Sequence, residues 1–243
     1  MRLMKRILSA AAVLALSASL LVGCSSGTAS SVPVSASSAA ESTVSSVEET
    51  ASSAVDENEA AAAQLLNDLT GSYQELWPVI LADEYKQTWL DDCTALVGED
   101  NAEAAFEKLS SMVTGDVYGE DAVKAYANGG GAYFCGFTNS LATLTFDGET
   151  STISGTDKDG NVLFSHAYHY IGMEPVRGLY EFESDDADSG EFTYFFLAPD
   201  TSAETYHIEF RYGSDAEALS QYDAGEYAYW VASGISTDCD QTM

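Results

Sequence analysis

The chain has 243 residues, 46% of them hydrophobic, with 39 acidic and 9 basic side chains and a formal net charge of −30. Such a field argues against nucleic acid and anionic lipid headgroups as partners, because both carry the same sign. Beyond the N-terminal segment no apolar run reaches the ~20 residues that a membrane-spanning helix needs.

Residues 1–23 read as an export signal. Arg2, Lys5 and Arg6 precede an apolar run from Ile7 to Val22, and Leu21-Val22-Gly23-Cys24 looks like a bacterial lipobox. In proteins with that motif the cysteine becomes the first residue and carries the lipid. Cys24 is therefore the expected lipidation site, and the expected location is the outer face of a bacterial cell membrane. Three of the nine basic residues and none of the 39 acidic ones lie in the signal. The chain from Cys24 onward carries six basic against 39 acidic residues, a net −33. Residues 24–57 form a tether: 25–56 hold twelve serines and no aromatic residue, lysine or arginine. A segment with so little apolar surface cannot offset its ordering entropy.

The folded domain is expected over 58–243. Tyr73, Leu76, Trp77, Ile80 and Leu81 have the spacing of one helix face, with Pro78 in the first turn or interrupting it. Tyr85, Trp89, Cys93, Leu96 and Val97 mark a second helix closed by Gly98. Asp100 and Glu103 read as a capping box opening a third, which runs to Gly115. A short fourth helix is expected over 120–127. After Gly129-Gly130-Gly131 the period becomes two. Strands are expected over 132–137, 141–146, 151–155, 161–170, 178–183, 191–198 and 204–212. Short helices are expected over 214–222 and 226–233. Seven short strands joined by tight turns suggest an antiparallel meander that closes into a barrel. The fold class is thus α+β: N-terminal helices packed on an antiparallel β-barrel. Cys93, Cys135 and Cys239 remain outside the signal and allow one bridge, of which Cys93–Cys135 is favoured because Cys239 lies near the chain end. No C-x-x-C pair supports a thiolate zinc site.

Several stretches, in order, resemble the ZinT family. They are "GSYQELWPVILADEY" (71–85), "FDG" (146–148), "AYHYIG" (167–172), "RGLYEFES" (177–184), "FTYFFLAP" (192–199), "YHIEFRYGSDAEAL" (206–219) and "YAYW" (227–230). The resemblance spans roughly residues 70–235. It implies a lipocalin-like (calycin) barrel that binds zinc, or in some members cadmium, outside the cytoplasm. Three histidines hold that family's metal. The first matches Phe195, and the His-x-His pair on the next strand matches Thr205 and His207. A phenyl ring cannot bind zinc and a threonine hydroxyl is a poor ligand, so one of the three remains.

The other histidines, His166 and His169, are an odd number of residues apart on one strand and should face opposite sides. His207 shares its face with Glu209 and Arg211. A rebuilt site would combine His207 and Glu209 with one of His166 or His169, a set able to hold zinc or another divalent cation. The competing reading is a strand histidine held by local hydrogen bonds. Asp157-Lys158-Asp159-Gly160-Asn161 reads as a hairpin turn rather than a calcium loop. Asp185, Asp186, Asp188 and Glu191, clustered on one loop, could hold a calcium ion weakly, but a solvated turn is the favoured reading.

No G-x-S-x-G elbow, Gly-rich phosphate loop or H-E-x-x-H helix is present, so no enzymatic activity is expected. Two functions stay open. One is a lipid-anchored protein that captures zinc or a similar cation and delivers it to a metal-uptake transporter. The other is a metal-free barrel that binds a small organic ligand, a cell-wall component or a partner protein.

Overall fold

The computed structural model describes residues 57–127, 131–199 and 207–239. The expected signal, Cys24, almost all of the tether and Thr205 lie outside the described residues. Helix α1 (57–68) is followed by strand β1 (Gly71–Glu75) and helices α2 (Leu76–Ile80), α3 (Lys86–Val97), α4 (Glu99–Val113) and α5 (Glu120–Ala125). Strands β2 (Thr143–Asp147), β3 (Thr152–Thr156), β4 (Val162–Met173), β5 (Tyr180–Ser184), β6 (Tyr194–Leu197) and β7 (Ile208–Gly213) come next, then α6 (Ala216–Leu219) and β8 (Ala232–Ser236). Each strand pairs antiparallel with the next, and β1 pairs with β8. The eight strands therefore form a closed barrel, which leaves no sheet edge unpaired. No helix among the described residues is long and apolar enough to cross a membrane.

Alternation divides the wall into two faces. In the row Tyr170, Phe182, Phe195 and Tyr212, which links β4 to β7, every side chain points inward. Phe146, Ile153, Phe164, Tyr168 and Phe210 join them in one buried core. Helix α1 closes one end by adding Ala62, Leu65, Leu66 and Leu69 to that core. It lies so close to the β2–β3 turn that a Cβ at Gly148 would stand 2.4 Å from Asn67 Cα. Segment 137–141 closes the opposite end, where the buried Tyr212 hydroxyl accepts from Thr138 N at 2.6 Å and donates to Thr138 O at 3.0 Å. A second, smaller core outside the barrel joins Leu76, Trp77, Ile80, Trp89, Val113, Cys135 and Ile235.

The expected helix beginning at Tyr73 is instead a strand followed by a helix. Tyr73 belongs to the barrel interior, whereas Leu76, Trp77 and Ile80 belong to the outer core, so one apparent helix face serves two cores. Helix α4 starts after Gly98 at φ 84° with no side-chain cap, and Glu99 and Asp100 occupy its first turn, so the Asp100–Glu103 capping box does not form. Segment 132–137 is extended but pairs only through bridges at Phe134. Gly190–Phe192 is a 3-10 turn ahead of β6. The expected helix over 226–233 is turns followed by β8. Cys93 and Cys135 are buried free thiols, which overturns the favoured bridge. Burial pushes the Cys135 thiol up to about 12, so it stays protonated and inert.

Candidate functional site

His166 and His169 fall on opposite faces of β4, as their spacing requires. His166 faces inward near one barrel end, between Phe164 and Tyr168, and its Nδ1 lies 2.6 Å from Asp186 Oδ2. His169 faces outward and is half-exposed, with Nδ1 2.7 Å from Asp185 Oδ1. Adjacent aspartates thus serve the two faces of one strand. Glu191, the outermost acid of that turn, accepts from Ser214 Oγ at 3.1 Å and from the Tyr227 hydroxyl at 3.1 Å. Three of the four acids of that turn, Asp185, Asp186 and Glu191, therefore have separate partners. Asp157 likewise accepts from Asp159 N and Asn161 N, both at 2.9 Å, and fixes its hairpin turn.

His207 is buried, and its Nε2 lies 3.7 Å from Glu209 Oε1. These two are brought together, but not with the other histidines. Counted from the row Tyr170–Phe182–Phe195–Tyr212, His166 lies four residues toward one barrel end. His207 lies five residues toward the other. No group of three or more His, Cys, Asp or Glu side chains among the described residues is arranged to hold a metal ion. The four-residue set His207, Glu209, His166 and His169 is therefore not one site.

The phase of β7 adds a second correction. Ile208, Phe210 and Tyr212 fill the barrel, while His207, Glu209 and Arg211 lie on its outer face. Phe195 points inward, with its ring 6.4 Å from Phe210 and 5.3 Å from Tyr212, stacked on both. Position 195 and position 207 face opposite sides of the wall. A histidine at 195 would meet rings, not His207.

Sequence reasoning missed the polar cluster that Arg211 organises. Its side chain is fully buried on the outer wall and donates to the carbonyls of Leu219, Gln221 and Tyr227. Two of these lie at or just beyond the C-terminal end of α6, where a cation is favoured. The Tyr222 ring is sandwiched between Arg211 at 4.4 Å and Arg177 at 4.0 Å. The Tyr222 hydroxyl donates to the buried Glu174, which also accepts from Val176 N and Arg177 N. Burial pulls the Arg211 guanidinium down to about 10 and pushes the Tyr222 hydroxyl up to about 12. The available signal was one arginine in a strand of an otherwise acidic domain. Its partners are the backbone of a loop, which no side-chain pattern announces.

A third feature is a cleft of about 330 Å³ between the barrel and the helices. It lies where β1 turns into α2, beside the end of α4 and the extended segment around Cys135.

No protein-family model and no curated protein matches the chain. Two solved structures are similar in outline. The Zn(II)-bound ZinT-like domain of Streptococcus pneumoniae AdcA is 16% identical, with a TM-score of 0.45 over 72% of this chain and 84% of that one. Zn(II)-bound AdcA itself is 17% identical, with a TM-score of 0.43 over 72% of this chain and 33% of that one. The fold is fixed independently by the strand pairing above. The site is read from this chain's own side chains.

Proposed function

We propose that this chain is an extracytoplasmic, membrane-tethered binding module with a ZinT-like barrel and no catalytic role. The barrel interior acts as a packed scaffold rather than as a metal chamber. One observation carries this reading. Phe195, at the position where the resembled family places a metal ligand, is fully buried among Phe164, Tyr168, Phe210 and Tyr212. Rings packed at these distances leave no room for an ion and its donors. The lipobox-like Leu21–Cys24 and the Ser/Ala tether support anchoring through a lipid on Cys24, facing outward from the cell membrane.

A second reading, capture of zinc or another divalent cation for an uptake transporter, is favoured by the His207–Glu209 pair. Two donors at the barrel's outer wall, in a chain of net −33 after the signal, make a start on such a site. They need at least one more ligand. Zinc titration of the full chain by calorimetry, in a non-chelating buffer with non-ionic detergent, separates the two readings. The first expects only weak, non-saturating heats that His207→Ala leaves unchanged. Saturable one-to-one binding that His207→Ala abolishes would overturn it and establish capture.

A further inference from the structure

We propose that the cleft between the barrel and the helical layer binds a small organic cation, an amine carried on an aromatic or otherwise apolar body. The inference rests on the binding-module reading and goes beyond it by naming the place and the ligand class.

The cleft is built from both layers. Glu75 and Trp77 come from the β1–α2 junction, Val113 and Gly115 from the end of α4, and Phe134 and Gly136 from the extended segment. Its volume of about 330 Å³ suits a ligand of small-molecule size. Two glycines let its walls pack closely. A Cβ on Gly136 would come within 2.8 Å of the Phe134 ring and 3.1 Å of Glu75 Oε1. One on Gly115 would come within 3.0 Å of the Tyr133 backbone.

Three features select the ligand's chemistry. First, Glu75 is the only charged side chain among the described residues that line the cleft. Its Oε1 accepts from Phe137 N at 2.7 Å, and among the described residues Oε2 has no hydrogen bond. A neutral ligand would desolvate that oxygen without a partner, and an anion would be repelled, whereas an ammonium group satisfies it. Second, Trp77 and Phe134 both line the cleft, and their rings supply apolar, electron-rich surface that suits a cation with an apolar body. Trp77 is 7% exposed, so only part of its ring is open to the cleft. Third, the field of the whole domain concentrates cations at its surface. Neither His207 nor Glu209 lines the cleft, so zinc binding and amine binding are separate properties.

The test uses 2-phenylethylamine and its neutral isostere 2-phenylethanol, titrated into the full chain in non-ionic detergent with a metal chelator present. Calorimetry reads binding, and near-ultraviolet circular dichroism reads folding. The amine is expected to bind saturably, at least tenfold more tightly than the alcohol. Glu75→Gln keeps an acceptor for Phe137 N and should weaken the amine about tenfold while leaving the alcohol unchanged. Thr114→Trp, a change at an exposed position on the rim, should block both. Failure of the amine to saturate, equal affinity for amine and alcohol, or unchanged amine binding in folded Glu75→Gln would each overturn the proposal. The zinc titration tests the binding-module reading on its own, so the two can fail separately.

Discussion

The inside of the barrel and the outer wall beneath β7 and β8 are both buried, yet they are filled by opposite means. Inside, Phe164, Phe182, Phe195 and Phe210 pack with Tyr168 and Tyr212 as a continuous set of rings. Each fully buried ring contributes roughly 1.5–3 kcal/mol. Offset and edge contacts add about 0.5–1.5 kcal/mol per pair. Outside, His207, Arg211 and Glu174 are buried and Glu209 is partly so. Burial there is tolerable only because the polar atoms are largely paired, Arg211 with three carbonyls and Glu174 with two backbone N–H groups and a hydroxyl. One exception is Arg211 Nε, which is buried without a hydrogen bond among the described residues. In a barrel the chamber is the usual place to seek a ligand. Here the chamber is carbon, and the polar chemistry has moved to the wall's outer side.

The most severe way to break the comparison is to empty the inside. Phe195→Ala should cost about 3–5 kcal/mol in urea denaturation, from lost burial and the cavity left behind. A loss under about 1 kcal/mol would mean that the interior is not close-packed. Arg211→Ala tests the outer wall, and about 3 kcal/mol is expected because three carbonyls lose their donor and Tyr222 loses a stacking partner. Arg211→Lys should recover only part of this, since an ammonium cannot reproduce the planar fork. Full recovery would show that charge alone is needed.

The smallest effect sharpens the electrostatic contrast. Burial, helped by Glu174, raises the Glu181 carboxyl above its ordinary value. A raised folded pKa gives stability that is present below the unfolded pKa and is lost as pH rises through the folded one. Glu181→Gln should therefore be slightly more stable than the parent at pH 7, by well under 1 kcal/mol because the side chain is partly exposed. The two should be equal at pH 3. Thermal midpoints at the two pH values check this, and a gain at pH 3 would contradict it.

Legibility followed the range of the interaction. Helices α3 and α5 and strands β2 to β5 were readable because local periodicity, glycine stops and turn residues set them. The opposite faces of His166 and His169 were readable for the same reason, since alternation along one strand is local. The strands that escaped were β1 and β8. β1 carries one buried apolar residue, Tyr73, whose spacing continues into the helix after it. β8, Ala232–Ser236, is mostly small residues with no strand signature. Each becomes a strand because the other is beside it, 165 residues away at Thr237 and Ser72, where the barrel's first and last strands are joined.

The sequence by itself determined a strongly acidic chain, most of its helices ahead of a run of strands, and the residue chemistry available to any site. Only the tertiary structure decided that the barrel closes, that Phe195 and His207 stand on opposite sides of its wall, and that the histidines do not converge on one site. The reason is physical. A strand's alternation fixes which residues share a face, but the register across neighbouring strands and the core they enclose fix which face is inside.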